Sequence, residues 1–145
     1  MSSRKKSDRK DPAYLREQGS RDAKVKKQRC ITFSLSKQIQ GEGETIEQWS
    51  ELGLLETLML RMKYVGQLTI YEAKQNKYIK EYHKVDFPEN SKFSEPKHVQ
   101  NVTWAVMHIT DKSKEVVAGY IEDDVFYIIF LDKEHLFWPT TLKNT

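Results

Sequence analysis

From residue 29 to residue 36 apolar and polar positions alternate strictly. Ile31, Phe33 and Leu35 fall on one side, and Cys30, Thr32 and Ser34 on the other. A period of two is that of a strand with one buried face. Residues 38–44, which include Gly41 and Gly43, break the alternation and read as a loop. After Thr45 the period lengthens. Trp49, Leu52, Leu55, Met59 and Met62 recur at spacings of three and four, widened by Leu54 and Leu58. That spacing predicts an amphipathic helix over about residues 46–65. Thr45 followed by Gln48 supplies a capping box, and Gly66 a stop. Gly53, inside the run, costs such a helix about 1 kcal/mol relative to alanine.

A second capping box, Thr69 with Glu72, opens a more polar helix carrying Tyr71, Tyr78, Ile79 and Tyr82, expected to run to about residue 82. The short link between the two makes a helical hairpin. Pro88 and Pro96 bracket a long loop, 86–98, which is either functional or packed by its own Phe87 and Phe93. Three strands follow at 102–110, 115–121 and 125–131, separated by a turn at 112–114 and by Glu122-Asp123-Asp124. The predicted order is β-α-α-β-β-β. The economical packing is an α+β domain over residues 29–145, an antiparallel sheet with the helical hairpin on one face.

Charge divides the chain. It has 145 residues and a net charge of +3, with 24 Lys+Arg and 21 Asp+Glu. The first 29 residues hold 11 of the basic and 4 of the acidic ones, so the remainder is net −4 and keeps a single arginine, Arg61. Residues 1–28 lack the apolar content to offset their ordering entropy and are expected to be a basic tail, disordered or ordered on a partner. Arg4, Lys5, Lys6, Arg9, Lys10, Lys26, Lys27 and Arg29 are its candidate nucleic-acid contacts. The chain shows no secretory leader and no membrane-spanning run, so the expected compartment is the cytoplasm and no membrane partner is expected. Cys30 stands alone, without a second cysteine for an internal disulfide and without a base beside it in sequence.

The element order resembles the RelE/ParE toxin superfamily, small basic proteins whose RelE-like members cut messenger RNA on the ribosome. Residues 116–138, VVAGYIEDDVFYIIFLDKEHLFW, are similar to that family's closing hairpin: Tyr120, the Asp123-Asp124 turn, the apolar strand 125–131, then His135 near the end. The resemblance implies a metal-independent endoribonuclease acting on RNA or the ribosome, with a protein antitoxin as partner. His135 would be the acid or base, with Tyr120 and Lys133 as supports. The chain departs from the family in lacking arginines across the strands, leaving Lys112, Lys114 and Lys133 to hold phosphate, and in its acidic body.

Two other readings stand beside this one. In the first, the basic arm binds nucleic acid or an acidic protein, nothing is catalysed, and Trp138, at the edge before Pro139, is a partner surface. In the second, His98 and His108 hold a metal for hydrolysis, although no ligand-spacing motif supports it and no cofactor is expected. Lys97 and His98 in the long loop are candidate phosphate contacts. His135 equally suits a surface turn beside charged neighbours. His108 is a core histidine if Trp104 and Val106 point inward, and lies beside a site if the opposite face packs.

Overall fold

The computed structural model describes residues 29–83 and 87–139, so the predicted tail contacts at residues 4–27 lie outside the described residues. The elements, in chain order, are β1 (Thr32–Ser34), α1 (Ile46–Glu51), α2 (Leu54–Val65), α3 (Ile70–Gln75), β2 (Ile79–Glu81), β3 (Trp104–His108), β4 (Val116–Glu122) and β5 (Val125–Asp132). The strands form one sheet in the order β1-β5-β4-β3-β2. The fold is α+β, as the sequence predicts, with two corrections to its order.

The single long helix is two. Both halves of the first capping box form, with Gln48 N–H donating to Thr45 Oγ1 and Thr45 N–H to Gln48 Oε1. The helix then stops at Glu51, because Gly53 adopts a left-handed φ of 77°. The sign of one substitution reports this break. In a continuous helix Gly53→Ala would stabilise by about 1 kcal/mol, whereas at a left-handed position it should destabilise by about 1–2 kcal/mol. Urea unfolding of the two proteins distinguishes them.

The second predicted helix also ends early. α3 closes at Gln75, Lys77 takes a φ of 65°, and the chain leaves as β2. Tyr78, Ile79 and Tyr82 share helical spacing by coincidence, for Ile79 pairs with Met107 at the sheet edge. At the opposite edge β1 runs parallel to β5, so the sheet is not wholly antiparallel. Only strands with a long crossover between them can pair in this way.

Both sheet faces are covered. α1 to α3 bury Trp49, Leu58, Val65 and Ala73 against Ala105, Met107, Val117 and Ile128. On the other face the long loop and the chain after β5 bring Phe93, Val99 and Phe137 onto Trp104, Val106, Ile129 and Phe130. Phe87 meets Trp104 and Phe137 edge-on at 5.4 and 5.5 Å. The loop is packed by its own aromatics.

One irregularity sets the geometry that follows. Ala118 pairs with Phe130 but Gly119 pairs with Ile128, which leaves Ile129 as an extra residue in β5. Before this bulge Phe126 and Ile128 face the helices. After it Leu131 does, while Ile129 and Phe130 both face the loop layer. Gly119 lies so close to the Tyr127 carbonyl that a Cβ there would overlap it.

Candidate active site

The bulge turns Asp132 onto the loop-layer face, at the end of a lateral row. His108 pairs with Val116, and Val116 with Asp132, so the three share one face across three strands. At strand spacings near 4.8 Å, His108 and Asp132 are about 10 Å apart at Cα. The chain then folds back over the row. Asp132 is buried, and its two carboxylate oxygens accept from Leu136 N–H at 2.8 Å and Phe137 N–H at 2.7 Å. His135 lies inside that loop with a left-handed φ of 62°. Its ring comes to 5.4 Å, centroid to centroid, from that of His108.

His135 carries a second irregularity. Its Nδ1 is buried and has no hydrogen-bond partner among the described residues. An orphaned buried polar atom and a positive φ in one non-glycine residue are both unfavourable, and such features gather where function holds them in place. For His108, burial comes first and the neighbouring His135 ring second in pushing its pKa below the ordinary imidazole value. A backbone contact at Ser113 opposes them.

The two imidazoles line a cleft of about 750 Å³. Lys77, Lys80 and Tyr82 come to it from the α3–β2 edge, and Trp138 from the chain after β5. Trp138 stacks on Tyr82 with rings 3.9 Å apart and 5° from parallel. It is therefore half-buried against its own chain instead of standing free at an edge. Burial pushes the Tyr82 phenol up to about 12, so it stays neutral at any ordinary pH. Lys80 Nζ lies 5.3 Å from the centre of the Tyr82 ring. Lys74 Nζ is 2.8 Å from Glu81.

Other residues singled out from the sequence fall elsewhere. Tyr120 is buried in the loop-layer core, stacked on Tyr127 at 4.9 Å and paired in register with Trp104. It lies four residues along β4 from Val116, about 13 Å from the histidine row, so it does not support His135. Lys133 Nζ is 2.9 Å from Glu134. Hydrogen bonds and charge from Lys114, then Lys133, hold the Glu134 carboxyl down to about 2. Glu134 in turn raises the Lys133 ammonium. Two of the three lysines named for phosphate, Lys114 and Lys133, thus engage the one carboxylate of Glu134, and neither lines the cleft. Lys112 is exposed in the β3–β4 turn.

Arg29 pairs with Asp124 at 2.7 Å. Lys97 is exposed. His98 Nε2 meets the Lys37 carbonyl at 3.2 Å, and Lys37 Nζ sits over Tyr127, at the Tyr120 end of the sheet. His98 and His108 therefore do not share a cavity. Among the described residues no three His, Cys, Asp or Glu side chains gather as a metal-ligand set.

The sequence singles out His135 but not its approach to His108, nor Lys77, Lys80 and Tyr82, which line the same cleft. The last three were hidden by the over-extended helix. The left-handed residue that ends it, Lys77, has no distinctive local signature. The molecule is thus a mixed-sheet α+β domain with a paired-histidine cleft open to basic and aromatic side chains. Comparison with protein-family models, curated proteins and solved structures finds no match to this chain.

Proposed function

We propose that this chain is a metal-independent endoribonuclease of RelE-like toxin type, with His108 and His135 as its proton-transfer pair. The observation that carries this reading is the approach of the two rings to 5.4 Å in a lysine-bordered cleft. RNA supplies its own nucleophile, so metal-free cleavage needs only one group to take a proton and another to give one. A neutral ring accepts the 2′-hydroxyl proton as that oxygen attacks phosphorus. A protonated ring gives its proton to the 5′ oxygen as the P–O5′ bond breaks. The products are a 2′,3′-cyclic phosphate and a 5′-hydroxyl. His108, held neutral to lower pH than a free imidazole, suits the base, leaving His135 as the acid. Lys77 and Lys80 supply positive charge beside the phosphate, and the stacked Tyr82–Trp138 pair offers a surface for an unpaired base.

The test is incubation of the full chain with single-stranded RNA in excess EDTA, with and without ribosomes, and mass analysis of the new ends. Cyclic phosphate ends support the reading, and RNA left intact in both arms overturns it. The pH profile assigns the base. Because His108 titrates below its usual value, kcat/KM should fall on the acid side only below about pH 6.5. The His108→Gln protein should lose that limb. An acid limb above pH 6.5, or one that survives the substitution, removes His108 from the role.

The non-catalytic interaction module remains a second reading, favoured by the outer face of α2. Met59 and Leu60 there are 66% and 63% exposed, flanked by Leu52 and Tyr64.

A further inference from the structure

A second, smaller cavity opens on the other side of His108. Arg61, Asn76, Thr110 and Asp111 line it, and it shares Lys77, Tyr78 and His108 with the main cleft. The histidine at the proposed scissile phosphate is thus the junction of two cavities, which is the arrangement a strand needs if one nucleotide is to lie on each side of the cut. The two sides differ in chemistry. The main cleft offers rings, whereas the second offers a donor fixed beside an acceptor. Arg61 is held in place, its Nε donating to the Ile109 carbonyl at 3.3 Å and its guanidinium lying 5.0 Å from the Tyr78 ring centre. One terminal nitrogen meets Asp111 Oδ1 at 2.8 Å, and the Asp111 side chain is 75% exposed.

We infer that the Arg61–Asp111 cavity is a guanine-reading subsite that sets where the strand is cut, an inference that rests on the nuclease reading. The base edges decide the choice. Guanine presents the O6 acceptor beside the N1–H and N2–H donors, so a carboxylate can take two hydrogen bonds while the adjacent guanidinium gives one. Uracil and thymine offer one donor between two acceptors. Cytosine and adenine place an acceptor in the middle of the edge, facing the carboxylate. The Arg61–Asp111 pair matches guanine at three points and the others at two or fewer.

The test reads binding apart from cleavage. Thymidine pentadeoxynucleotides, all-thymidine or with a central guanine, adenine or cytosine, lack the 2′-hydroxyl and cannot be cut by this chemistry. Fluorescence anisotropy with the full chain should show the guanine probe binding about tenfold more tightly than the other three, within the range one well-formed bidentate contact provides. Asp111→Ala and Asp111→Asn should bring all four probes to within about twofold. The exposed position of Asp111 should leave the fold intact, and circular dichroism of each variant checks it. Equal affinities in the unaltered protein, or a guanine preference that survives both substitutions, overturn the subsite. A guanine preference in a protein that leaves ribonucleotide strands intact supports the subsite and sinks the nuclease reading. Cutting without any preference for guanine does the reverse.

Discussion

Replacing His135 by asparagine should abolish RNA cleavage, by about a hundredfold or more, while the protein remains folded with its melting temperature within a few degrees. The expected loss is that of a positioned proton-transfer group. Asparagine suits the test because it tolerates the left-handed conformation that His135 adopts, so the backbone need not move. It also removes the imidazole whose Nδ1 is buried and unpartnered among the described residues. A structural histidine would show the opposite pattern, with stability falling and any activity retained. Cleavage at the wild-type rate by the folded variant would remove His135 from the chemistry. A drop of many degrees in melting temperature would make it a packing residue.

The second large effect is on the fold. Asp132→Ala should destabilise the protein by about 3–5 kcal/mol, since hydrogen bonds to charged groups contribute about 1.5–3 kcal/mol each. Two backbone donors, Leu136 and Phe137 N–H, lose their acceptors at once. Phe137 is fully buried among Phe87, Trp104 and Phe130, so its amide has poor access to replacement water. Urea unfolding measures the change. A loss under 1 kcal/mol would mean that ring packing alone holds the segment after β5. Asp132 acts on the site through the loop it ties down, as a positioning residue for His135.

Local signals in the sequence were read well and relational ones poorly. Both capping boxes are present as predicted, because each is written within four residues. The alternation predicted for residues 29–36 holds at Ile31, buried, and Phe33, half-buried, but β1 ends at Ser34, so Leu35 leaves the sheet and is exposed while Ser34 is as half-buried as Phe33. The break at Gly53 and the early end of α3 turned on left-handed residues, which periodicity does not register. The parallel β1–β5 pair joins segments about ninety residues apart, and nothing local specifies its direction. The site shows the same division. His135 stood out by its place after the last strand, but its meeting with His108 depends on a three-strand register. Tyr120 lies on the same face as His108, and only the distance along β4 separates it from the site. The resemblance puts Lys114 and Lys133 in place of the missing arginines, but Glu134, which draws both, lies twenty residues from Lys114, a pairing that only the folded sheet makes.

The extra residue at Ile129 gives β5 a grammar of counting. With perfect alternation from Phe126 onward, Asp132 would lie under the helices and Leu131 would face the loop layer. The cleft therefore depends on where β5 takes up its extra residue as much as on what the neighbouring residues are. Substitutions that keep the bulge in place change packing by degrees. Deleting Ile129 itself would make the ladder regular and leave Asp132 opposite Val116, whereas pairing the intact strand without a bulge would turn the carboxylate away from His108. When two chains of this architecture are compared, matching side chains along β5 says little until the position of the supernumerary residue is known, because that residue decides whether an equivalent histidine reaches the cleft at all.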